Sequence, residues 1–139
     1  MNPICYLLLA HFVADYPWQG DFMAREKANN MLILTTHCLM WTFAVGAALT
    51  YTGLYASWQL WWLFIGHFVM DFLKSRGHIG RWCEAFYFWL FPDRRPHMSE
   101  APYKGWMNDP LRLPLWIDQL WHIFQVFACV GGLIVFGAN

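Results

Sequence analysis

Charge is scarce in this sequence. Asp, Glu, Lys and Arg make up 13% of its 139 residues, against roughly 25% in ordinary soluble domains. The nine cations balance the nine anions, so net charge offers no pull toward nucleic acid or an acidic partner. No RNA- or DNA-binding motif is present. CxxC pairs are absent as well: Cys5, Cys38, Cys83 and Cys129 stand singly, three of them in apolar runs. That placement suits free buried thiols better than disulfides or a zinc knuckle. No Lys or Arg precedes Arg25, and the first apolar run leads into Asp15 rather than a small-residue cleavage site, so no signal peptide is expected. Repeats, low-complexity tracts and a second domain are likewise absent over residues 1–139.

Apolar and aromatic side chains are what the chain has in excess. It is 58% hydrophobic and 20% aromatic, with ten tryptophans. A soluble fold of this size could not hide so much apolar surface, which points to a lipid bilayer as the solvent. The expected fold is all-α: an integral membrane bundle of four helices over residues 4–20, 31–52, 57–74 and 115–136. The first is short or kinked, because its apolar part falls below the roughly 20 residues a span needs and Pro17 interrupts it. The connection over residues 75–113 carries Arg76, Arg81, Arg94, Arg95, Lys104 and Arg112. Within it, residues 82–91 are apolar and too short to cross, and are expected to form an amphipathic interfacial helix. Arg94 and Arg95 are expected to meet anionic headgroups, with His78 and His97 solvated.

Orientation follows from the cations. Arg25 and Lys27 lie in the first connection, and the other seven fall between Lys74 and Arg112. Both charged connections are therefore expected on the cytoplasmic side of an inner membrane, giving a multi-pass protein with N-out and C-out termini.

Against this apolar background the ionisable residues recur at helical spacing. His11, Asp15 and Gln19 follow at steps of four, His67 and Asp71 repeat the step, Asp118 and His122 reverse it, and His37 adds a fourth imidazole. Residues four apart share a helix face, and all four stripes fall at similar depth on the cytoplasmic side. Ionisable groups in a membrane are costly and turn toward the bundle interior or one another. His11, Asp15, His37, His67, Asp71, Asp118 and His122 are thus the candidate metal ligands. Seven nitrogen and oxygen donors exceed one tetrahedral ion and suggest one or two divalent ions, Zn, Mn or Fe. Haem is disfavoured, since its ligation needs no three carboxylates beside the imidazoles. Gln19 and Gln119 are candidates for orienting a ligand or water, although Gln119 stands one residue off the Asp118 face. Lys74 shares the Asp71 face, where it either meets an anionic substrate or snorkels to the interface. The competing account of the same stripes is a His–Asp hydrogen-bond network that merely holds the helices together.

Taken in order, His11-x3-Asp15-x3-Gln19, Met23, Lys27, His37, His67-x3-Asp71-x2-Lys74 and Asp118-Gln119-x2-His122 resemble one family over nearly the whole chain. It is the bacterial and phage membrane family called domain of unknown function 3307. The resemblance implies a small integral membrane protein without an assigned activity. A more distant similarity is to membrane-bound metal-dependent hydrolases.

The expected function is therefore an intramembrane metal-binding protein acting as a metal-dependent hydrolase on a lipid-like ester or phosphoester, such as a polyprenyl phosphate, at the cytoplasmic leaflet. Asp15, Asp71 and Asp118 are its candidate catalytic carboxylates, any one of which could act as general base rather than ligand. The alternative is non-catalytic: binding or transport of metal or protons, or a phage-type interaction protein with a structural His/Asp core. The outer halves of the helices offer almost no ionisable group, so a continuous pore would need a homo-oligomer.

Overall fold

A computed structural model describes residues 2–90 and 113–136. Among the described residues it is all-α, with six helices and no strand: α1 (Pro3–Asp15), α2 (Gly20–Glu26), α3 (Met31–Tyr51), α4 (Ser57–Ser75), α5 (His78–Leu90) and α6 (Leu113–Phe136). Arg94, Arg95 and His97 lie outside the described residues.

Local chemistry sets most of the boundaries. Asn2 caps α1, its Oδ1 accepting from Ile4 N at 3.0 Å, and Pro3 fills the first helical position, where no amide donor is needed. Asn30 caps α3 in the same way, accepting from Leu32 N at 2.9 Å. Gly53 and Gly77 follow α3 and α4 with φ of 72° each, a left-handed conformation that glycine adopts without a Cβ penalty. Pro17 does more than kink α1. The helix stops at Asp15 and a separate short helix starts at Gly20, because proline has no amide proton to continue the ladder and its ring crowds the preceding turn. The first expected segment is therefore two helices joined by a turn.

Helices α1, α3, α4 and α6 close into a ring, with α1 against α3 and α6, and α4 against α3 and α6. Its centre holds Leu7, Ala14, Trp41, Val45, Leu49, Leu63, Val126 and Cys129. Small residues let α4 and α6 approach: a Cβ at Gly66 would stand 1.9 Å from Gln125 Nε2, and one at Gly132 would stand 2.6 Å from the Trp58 ring. The same two helices are latched by Trp62 Nε1, which donates to Gln125 O at 3.3 Å, and by Trp121 Nε1, which donates to Gly66 O at 3.1 Å.

Polarity runs inside out. The buried set includes four histidines, two aspartates, Lys27, Gln59 and Gln125, whereas Leu32, Phe43, Trp61, Ile65, Leu120 and Phe124 stand more than half exposed. By length and composition, α3 is the one helix among the described residues that is long and apolar enough to cross a membrane. Its 21 residues rise about 30 Å, the thickness of a hydrocarbon core. Helix α1, with 13 residues, is too short, and α4 is broken up by Gln59, His67, Asp71 and Lys74. The helix expected near residues 82–91 is α5, which starts earlier, at His78. Its Cys83 thiol is pushed up by burial, which keeps it protonated and unreactive.

Candidate metal centre

Two imidazoles and two carboxylates converge where α1, α3 and α4 meet. His37 Nε2 lies 3.1 Å from His67 Nε2, 3.5 Å from Asp15 Oδ1 and 3.2 Å from Asp71 Oδ2. His67 Nε2 lies 3.8 Å from Asp15 Oδ1 and 3.6 Å from Asp71 Oδ2. Ligands held about 2.0–2.1 Å from a tetrahedral ion stand about 3.4 Å apart. The three separations among Asp15, His37 and His67 therefore lie near the edges of such a site with one position left open, and Asp71 stands close to both imidazoles. His37, His67 and Asp71 are all 1% exposed or less, and the Asp15 side chain is 7% exposed.

Each of these groups is held from outside. His67 packs against two rings, Trp41 and His122, each with its centroid 4.2 Å away, and these two rings meet each other at 5.6 Å. Lys27, buried, donates to Asp71 Oδ2 at 2.7 Å. The Gln19 amide, oriented to satisfy both partners, accepts from Lys27 Nζ at 3.0 Å and donates to Asp15 O at 2.8 Å. Asp15 is aimed by a relay whose direction is fixed at its start. Trp41 Nε1, which can only donate, gives its proton to His11 Nδ1 at 2.9 Å. His11 must then carry its proton on Nε2, which faces Gln119 Oε1 at 3.2 Å. The Gln119 amide nitrogen in turn donates to Asp15 Oδ2 at 3.2 Å, leaving Oδ1 toward His37 and His67.

Of the seven candidate ligands, six fall into clusters able to hold an ion: Asp15 with His37 and His67, and Asp71 with Asp118 and His122. His11 does not join them. Both its ring nitrogens are engaged, so its place is to orient Asp15. Gln119 proves to be a bridge despite its offset, because residues one apart on a helix are only about 100° around its axis and a long amide reaches across. Lys74 neither snorkels nor stands free; it pairs with Asp118 Oδ2 and lies 3.6 Å from Asp71 Oδ1. His78 sits in contact with the Arg81 guanidinium, 2.8 Å away, on the exposed side of α5.

Four participants were not legible as such in the sequence. In the sequence Lys27 stands in the first connection and among the motif residues without a partner, and nothing singles out Trp41 or Gln125. Cys38, read as a free buried thiol, lies with His67 and Asp71 in a third possible ligand cluster.

A family model for proteins of unknown function, DUF3307, matches residues 4–139. The chain belongs to the DUF3307 family. No curated protein and no solved structure matches it. In this DUF3307 protein the match spans α1 through α6, so the helices that supply Asp15, His37, His67, Asp71, Asp118 and His122 all lie inside it.

Proposed function

We propose that this DUF3307 protein is a membrane metalloprotein that binds a divalent ion through Asp15, His37 and His67, with Asp71 beside both imidazoles, and uses it to hydrolyse a lipid-like ester or phosphoester. The observation that carries the reading is the set of 3.1–3.8 Å separations among the ligand atoms of Asp15, His37 and His67. Nitrogen and oxygen donors suit Zn, Mn or Fe. When bound, such an ion lowers the pKa of a coordinated water toward about 7 and polarises a phosphoryl or carbonyl oxygen.

The chain's own groups supply the rest. Lys27 and the Gln119 relay hold the two carboxylates in place, as partners behind metal ligands commonly do. Lys74 is the most open charged group at the centre, with its side chain 24% exposed, and is placed to receive an anionic headgroup. Water adds across the ester, releasing acid and alcohol, and one carboxylate not spent on the ion takes the proton.

The apolar outer surface supports a bilayer as the surroundings. The cation distribution is the ground for reading N-out and C-out termini in an inner membrane, with the centre facing the cytoplasmic leaflet.

A second reading has its own observation. The Lys27–Asp71 and Lys74–Asp118 pairs neutralise two of the three carboxylates without any ion, as a purely structural polar core would. Elemental analysis of detergent-purified protein, with hydrolysis of lipid phosphoesters measured alongside, separates the two. The account predicts bound Zn, Mn or Fe and metal-dependent turnover, both lost in a folded Asp15→Ala variant. No metal after reconstitution, or an Asp15→Ala variant that fails to fold with or without metal, supports the structural core instead.

A further inference from the structure

Beside the first centre, Asp118 and His122 form a second arrangement of ligand atoms that the first site does not use. His122 is fully buried and Asp118 is 1% exposed. His122 Nε2 and Asp118 Oδ1 face each other at 3.1 Å. Neither atom has a hydrogen-bond partner. A buried imidazole nitrogen and a carboxylate oxygen this close are joined by a shared proton or by a cation lying off the line between them.

The imidazole is set up for that role. Gln125 Nε2 donates to Trp62 O at 3.1 Å and lies 3.5 Å from Leu63 O, which fixes its amide. Its Oε1 must then accept from His122 Nδ1, 3.3 Å away. A proton is thereby placed on Nδ1, so in the neutral ring the lone pair lies on Nε2. Metal-ligating histidines are commonly oriented in this manner. Asp71 completes a three-residue cluster with Asp118 and His122. Lys74, shared between Asp118 Oδ2 and Asp71 Oδ1, supplies the positive charge there in the absence of an ion.

We propose that Asp118, His122 and Asp71 bind a second divalent cation, with Asp71 standing between the two sites and Lys74 acting as the built-in competitor. The proposal rests on the reading of the first centre as a metal site and makes the whole a two-ion centre. Nitrogen and oxygen donors again select Zn, Mn or Fe(II).

The test titrates Mn(II) into metal-stripped, detergent-purified full-length protein, counting bound ions and recording electron paramagnetic resonance. Two ions and a spin-coupled signal are expected for the wild type. His122→Gln should keep one ion and lose the coupling, and Asp15→Asn should weaken the first ion. Lys74→Met should tighten the second ion about ten- to a thousand-fold, the range over which a neighbouring charge moves a proton equilibrium. If His122→Gln does not fold, Lys74→Met carries the test alone, since a merely structural lysine would leave ion affinity unchanged. One ion in the wild type, retained in His122→Gln and lost in Asp15→Asn, overturns the second site and leaves the first standing. No ion in any variant overturns both.

Discussion

Gly66→Ala is the substitution whose effect follows most directly from the geometry. Its new methyl would sit 1.9 Å from Gln125 Nε2 and 2.8 Å from the amide carbon, closer than any packed contact. Gln125 must leave its berth or α4 and α6 must separate. Leaving costs the bonds to Trp62 O and His122 Nδ1, with two buried polar groups unsatisfied at about 1–3 kcal/mol each. Separation costs a similar about 1–3 kcal/mol of overpacking strain. Alanine recovers about 1 kcal/mol of helix propensity. The net expectation is a loss of about 3 kcal/mol, or roughly 10 °C in Tm for a chain of this size. Gly131→Ala on α6 is the matched control, since its methyl would meet nothing within 4 Å and should be neutral or stabilising. Thermal unfolding in detergent, followed by tryptophan fluorescence, reads both. If Gly66→Ala is as harmless as Gly131→Ala, the Gln125 berth and the His122 orientation derived from it are refuted.

Further expectations concern the groups that hold the centre. Lys27→Met leaves Asp71 without its 2.7 Å partner and should cost about 3–5 kcal/mol in metal-free protein, as loss of one member of a buried pair does; added Zn should restore part of the Tm, and an unchanged Tm would contradict the pairing. Trp41→Phe removes the donor that sets the His11 tautomer, so it should cost about 1–3 kcal/mol and weaken metal binding through Asp15, measurable by competition with a chelating dye. Metal affinity at the first site should fall as the pH is lowered, because protons compete for His37 and His67; an affinity independent of pH between 5 and 8 would contradict imidazole ligation. The protein should stay with membranes through an alkaline carbonate wash, and release would contradict the bilayer reading.

The helices were legible in the sequence because two signals agree at their ends. Asn30 before an apolar run and Gly53 after it bound α3 to within a residue of the expected segment. At Pro17 the sequence announces a disturbance but not its size, since a kink and a stop share the same residue; the turn bonds that follow, such as Trp18 N to Val13 O, decide for a stop. The His–Asp stripes were legible because a period of four in apolar surroundings has few other causes. What periodicity cannot give is which nitrogen of an imidazole is free. His11 and His37 look alike in the sequence, yet Trp41, thirty positions from His11, engages one of them. The partners of Lys27 and Cys38 escaped the sequence for the same reason, since they lie on another helix and no local spacing encodes the meeting.

X-ray absorption at the metal edge of the reconstituted protein tests the central claim most directly. The account predicts a first shell of nitrogen and oxygen only, at about 2.0–2.1 Å for zinc, with the outer scattering of two imidazoles, diminished in His37→Ala. A sulfur scatterer near 2.3 Å would move the ion to Cys38, and a protein that holds no metal would contradict the account outright.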